Sequence, residues 1–290
     1  MILLKKFSFS FIIFDCMDFL KNIFIRIISV FLTFLFFGIV ISTFSFIGNL
    51  FSNESSPKKE RKKEIKKEVE KLASHYHYWN DNKSRQYRGN VSVKLKDVYS
   101  SARNKKYINP ITWGHFYKKI VEYDNLKLST IYDLFDQISR TKVLSRNEFA
   151  DVIVTFVQNI PYNILTTESC SDAYLNSKSI KDMIDQGIDC DGNIFGGLYT
   201  PTEFIKNFRG DCDTRTVFLY TILNRYGYDT RILNSDFYRH SIIGVNLPSR
   251  GRFKTHLGKR YYTWETTNIN WQLGDLPPST SRMDFWHVAL

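Results

Sequence analysis

From Ile27 to Ile47 the chain runs for 21 positions without a charged residue. As a helix rising ~1.5 Å per residue, that stretch is about 31 Å long, enough to cross the hydrocarbon core of a bilayer. A single uncleaved anchor is expected rather than a signal peptide. The apolar run exceeds the usual signal core, and no A-x-A-like cleavage site follows it. Lys58 to Leu72 then mixes Lys and Glu in blocks and reads as a solvated helical spacer. Past His75 the pattern turns aromatic, and Val91 to Val98 alternates with the period of two of a half-buried strand. Helical spacing returns at Trp113–Tyr123 and Ser129–Ile138. Another helix opens on a capping box, Ser145 with Glu148, and carries an apolar stripe through Val152, Phe156 and Ile160 before Pro161 ends it. Gln158 points away from that stripe.

Residues 163–200 are polar and irregular. Gly210-Asp211 then supplies a turn and helix cap, and Gly227 a helix stop. Two strand-like runs follow, His240–Leu247 and Lys259–Thr266, joined by a polar connection containing Gly251 and Gly258. This order predicts an α+β chain in four parts. Residues 1–51 hold the anchor, 52–74 the spacer, 75–144 an N-terminal extension, and 145–290 the domain that carries the chemistry.

Composition changes this picture little: 43% hydrophobic and 24% charged residues are those of a folded protein. The formal net charge of +11 is spread along the chain, with no basic block interleaved with aromatics. It therefore favours an anionic surface such as a membrane over nucleic acid. Flanking charge places the carboxy-terminal part in the cytoplasm by the positive-inside rule, since Lys58 to Lys67 outweigh Lys5, Lys6, Lys21 and Arg26. Large domains often cross regardless of such charge. Cys170 and Cys190 can close a disulfide that suits an oxidising compartment, two free thiols being the alternative. An extracytoplasmic domain on a single-pass anchor is the reading adopted.

The four cysteines form no C-x-x-C pair. Cys16 lies in the apolar amino-terminal region as a bystander. His75 and His77 lack partners at metal-ligand spacing and read as packing residues. Cys212 differs: it sits in the first turn of a buried helix, between Asp211 and Asp213, where free N–H groups and the helix dipole favour a thiolate. A nucleophilic thiol needs a base and a group to orient it. Pairing the two downstream strands as a hairpin sets His240 opposite Glu265, with the turn centred between Arg252 and Phe253. Opposed Cβ atoms about 4.5–5.5 Å apart let a carboxylate hold an imidazole. His115, His256 and His287 have no such partner geometry.

Four stretches now stand together: Phe156-Val-Gln-Asn-Ile-Pro-Tyr162, Gly210-Asp-Cys-Asp-Thr-Arg215, His240-Ser-Ile-Ile-Gly-Val-Asn-Leu-Pro248 and Trp264-Glu-Thr-Thr267. In order and spacing they resemble the bacterial transglutaminase-like cysteine peptidases, over roughly residues 145–275. The resemblance implies a papain-like α+β core with the nucleophile helix packed on an antiparallel sheet. It implies Cys212 as nucleophile, His240 as base and Glu265 as third member. Many relatives have Asp in that third place, so Asn268 is kept as a substitute. Gln158 or the Cys212 N–H is the oxyanion donor to be tested. The expected activity is hydrolysis of an amide in a protein or peptide substrate through a thioester, without metal or organic cofactor. Acyl transfer to an amine uses the same groups, and a non-catalytic membrane-tethered binding module is the reading from another class.

Overall fold

The computed structural model describes residues 71–290. The anchor expected at 27–47, Cys16 and most of the spacer lie outside them, and no described helix is long and apolar enough to cross a membrane. The spacer's expected end at residue 74 falls inside a strand: β1 (Leu72–Asn80) pairs antiparallel with β2 (Gln86–Lys94). The turn between them is built on Asp81. Its carboxylate accepts from the backbone N–H groups of Lys83 and Arg85, at 2.9 and 2.8 Å, and from Arg85 Nε at 2.6 Å. Alternation buries His77, Trp79, Tyr87, Val91 and Val93. The strand read through Val98 ends four residues earlier, because Leu95 and Val98, three apart, also suit the helix α1 (Leu95–Lys106).

The helices α2 (Trp113–Asp124), α3 (Ser129–Thr141) and α4 (Arg146–Gln158) follow the spacing of their apolar residues. Ser145 caps α4 through the expected box: its Oγ accepts from Glu148 N–H and Glu148 accepts from Ser145 N–H at 2.8 Å. The hairpin lies on α4, with Trp79 Nε1 donating to Val152 O at 3.1 Å and His77 Nε2 to Phe156 O at 3.0 Å. The expected irregular segment contains the short parallel pair β3 (Ile164–Leu165) and β4 (Cys190–Asp191), the helices α5 (Cys170–Asn176) and α6 (Lys178–Asp185), and then α7 (Pro201–Asn207).

The remaining elements are α8 (Cys212–Arg225) and the strands β5 (Thr230–Ser235), β6 (His240–Val245), β7 (Phe253–His256), β8 (Lys259–Trp264) and β9 (His287–Val288). They form an antiparallel sheet in the order β7-β8-β6-β5-β9, with α8 packed on β5 and β6. The expected simple hairpin is thus interrupted: β7 folds back on β8 and occupies the sheet edge. Helices and antiparallel strands fall in separate stretches, an α+β arrangement. The described residues make one unit, in which Trp79 and Phe135 share a core with Phe156, Phe218 and Trp264. The segment 75–144 therefore contributes core side chains to the same unit as 145–290.

Candidate active site

Gly210 fixes the approach to α8. A Cβ there would lie 2.8 Å from Thr214 Cγ2 and 3.1 Å from Phe204 Cδ2, so only glycine fits without displacement. Asp211 then caps the helix, its Oδ1 accepting from Thr214 N–H at 2.9 Å. Cys212 is the first helical residue, buried, and the free cysteine among the described residues. Its backbone N–H belongs to the helix turn that has no acceptor within the helix.

His240 opens β6, opposite Ser235 of β5. Glu265 follows β8. Ile243 pairs with Trp264 and Gly244 with Thr263, a register two residues from the expected one. Continued, it sets His240 opposite Thr267. Glu265 is then a same-face diagonal neighbour rather than the direct partner, because strand side chains alternate with period two. The contact forms all the same: His240 Nε2 donates to Glu265 Oε2 at 2.9 Å. The other carboxylate oxygen accepts from Thr266 N–H (2.8 Å), Thr267 N–H (3.0 Å) and Thr267 Oγ1 (2.8 Å). Asn268, the expected substitute, accepts from Ile269 N–H.

The Cys212 thiol and the His240 imidazole lie close enough to shift each other's proton affinity. With Nε2 held by Glu265, Nδ1 is the nitrogen left for the thiol. Trp286, 1% exposed, stands edge-on to the imidazole with ring centres 5.9 Å apart.

Charge on these groups is decided by burial set against hydrogen bonds. Burial opposes the Glu265 charge, but His240 and the Thr267 donors hold its carboxyl down at about 2. Burial also opposes charge on His240, yet Glu265 and the thiol push it well above its ordinary 6.5. Burial and Asp213 push the Cys212 thiol up, while His240 pulls it down. Burial therefore opposes the thiolate that the helix terminus favours, and the imidazolium is the group that offsets it.

Gln158 requires a correction. It is buried at the end of α4, and its Nε2 hydrogens go to Glu265 O at 2.7 Å and Trp271 O at 3.0 Å. Both donors are committed to carbonyls, so Gln158 ties α4 to the segment after β8 instead of facing an oxyanion. The Cys212 N–H is the donor that remains of the two expected. Cys170 and Cys190 are joined in a disulfide.

Two groups behind the site were not found in the sequence. Arg215, fully buried, donates to Gly210 O, Val157 O, Thr266 O and Ile160 O at 3.0, 2.9, 2.9 and 2.6 Å. It joins the turn before Cys212, the end of α4 and the residue after Glu265. Its place three residues from Cys212, on the same helix face, was the available signal. The second is a buried chain. Ser241 Oγ donates to Asn234 Oδ1 (2.9 Å), Asn234 Nδ2 to Tyr117 Oη (2.9 Å), and Tyr117 Oη to Asp213 Oδ1 (2.6 Å). Tyr117 lies on α2, 96 residues from its partner, and no local pattern announces it.

His75 stacks on Phe208 and bonds Lys206 O, and His77 stacks on Trp79; both are packing residues. Possible metal-ligand atoms of Asp211, Cys212 and Asp213 lie within 4.8 Å of one another, but both carboxylates already have protein donors in Thr214 and Tyr117. Comparison with protein-family models finds no match to this chain, and a search of curated proteins finds none.

Proposed function

We propose that this protein is a thiol hydrolase with a transglutaminase-like, papain-like core, cleaving an amide bond in a protein or peptide. One observation carries the reading: a buried thiol at a helix start lies beside an imidazole whose Nε2 is held at 2.9 Å by a buried carboxylate. Glu265, ionised and acceptor-only, keeps hydrogen on Nε2 and leaves Nδ1 as the base. Nδ1 takes the thiol proton as sulfur attacks the substrate carbonyl. The Cys212 N–H donates to the oxyanion, and the helix N-terminus adds its field. Nδ1 then returns the proton to the leaving nitrogen as the C–N bond breaks and a thioester remains. Water, deprotonated by the same imidazole, opens the thioester to the acid and regenerates the thiol. An amine in place of water gives acyl transfer.

The expected single-pass anchor at 27–47 would hold the domain at a lipid bilayer, and the Cys170–Cys190 disulfide favours the extracytoplasmic side. Cys212→Ala is expected to abolish peptide turnover and leave the far-UV circular dichroism unchanged. Iodoacetamide should modify Cys212 in the native protein. A Cys212→Ala chain with undiminished turnover overturns the proposal.

A further inference from the structure

Cys212 and His240 each line one of two adjoining arms of a cleft. The smaller arm, about 350 Å³, is lined by Cys212 with Thr167, Glu168, Gly196 and Gly197. The larger, about 760 Å³, reaches His240. Tyr162, Ser179, Met183 and Arg239 line both, so the arms form one path past the thiol and the imidazole. The path has a direction, given that Cys212 is the nucleophile and His240 its base. The acyl carbon must sit at sulfur, while the leaving nitrogen must sit where the imidazole can return a proton. The acyl side therefore occupies the Cys212 arm and the leaving side the His240 arm.

The His240 arm is walled by apolar side chains from separate parts of the chain. Pro161 comes from just past α4, Met183 and Ile188 from the segment closed by the Cys170–Cys190 disulfide, Tyr238 from the β5–β6 turn, and Ile269 from beyond β8. Tyr238 packs on the Trp286 cluster, but folding gives little reason for Met183 and Ile269 to stand here. Ile269 is 47% exposed, and α6, which carries Met183, has no buried residue. Apolar groups left open to water on several walls of one cleft mark a binding surface.

We propose that the His240 arm is a leaving-side subsite for a bulky aliphatic or aromatic side chain, carried by the residue directly after the scissile amide. The disulfide-closed segment forms its selective wall. The inference rests on the hydrolase reading above.

The test uses the full-length chain in detergent and an internally quenched peptide library randomised at every position, with cut sites read by mass spectrometry. Leu, Ile, Met or Phe should dominate directly after the cut. For a matched pair of single peptides, Leu there should exceed Gly about 10–100-fold in kcat/KM, the range one apolar pocket supplies. Ile188→Asp should lower that Leu-to-Gly ratio about tenfold, and Ile188→Leu should keep it. Ile269→Asp, on another wall, gives the same reading if the first variant does not fold. Cleavage that depends on Cys212 but shows no preference after the cut overturns the subsite alone. So does a preference that neither Asp variant moves. If no peptide is cut and no iodoacetamide enters Cys212, the hydrolase reading falls, and the subsite with it.

Discussion

Glu265 has both carboxylate oxygens in use: one on His240 and the other on three donors from the two residues that follow it. Glu265→Gln keeps the shape and removes the charge, so the imidazole loses its orienting anion. Turnover should fall on the order of 10²-fold, the low end of what acid–base assistance supplies. Glu265→Asp should retain part of it. The same residue has a signature in stability. A carboxyl lowered from 4.5 to about 2 adds stability that is complete above 4.5 and is lost as pH falls toward 2. The loss is on the order of 3 kcal/mol, and urea unfolding across that interval should show it in the parent and not in Glu265→Gln. His240 slopes the other way: its contribution is present below 6.5 and fades as pH climbs through its raised value. Asp213, by contrast, helps to hold the thiol neutral. Asp213→Asn should move the pH midpoint of iodoacetamide labelling at Cys212 downward; an upward move or none refutes that role.

At the scale of elements, the local signals in the sequence were reliable. The capping box at Ser145, the helices from Trp113 and Ser129, and the Gly210-Asp211 cap all depend on residues within one turn of each other, and they formed where expected. Pairing between distant stretches was less legible. A hairpin centred between Arg252 and Phe253 put Glu265 two residues from its actual register, because the residues read as a loop contain β7. The error left Glu265 and His240 on one face, since two residues is a whole strand period. Gln158 went wrong for a related reason. Periodicity said that it left the apolar stripe, but not that two carbonyls from beyond β8 would absorb its donors. Arg215 fastens these elements together, and Arg215→Met would leave the Ile160 and Thr266 carbonyls without their donor and remove one of the donors to Gly210 O and Val157 O. A loss of about 3 kcal/mol or more in urea unfolding is expected, well beyond an average substitution. A loss under about 1 kcal/mol would mean the four bonds contribute little.

Across the whole molecule, the β1–β2 hairpin and α2 are far from the thiol in sequence and still support its surroundings, through His77 on α4 and Tyr117 on Asp213. The disulfide closes a segment of separation 20. Replacing both cysteines by serine should cost about 3 kcal/mol by the loop-closure argument, read as a lower urea midpoint. A membrane-impermeant thiol reagent on intact cells, applied to a variant with a new surface cysteine, tests the side of the bilayer. Labelling only after lysis would favour the Lys58–Lys67 charge run as the guide. The positions of Cys212 and His240 have one more consequence. Each is the first residue of an element that packs against the other's, in the most buried part of the molecule, whereas α6 buries none of its residues. Local opening starts where burial is least. On warming, the wall formed by α6 should loosen well before α8 and β6 separate. Cleavage should therefore become indiscriminate before it stops, and amide hydrogen exchange should be fast along α6 while α8 still resists it.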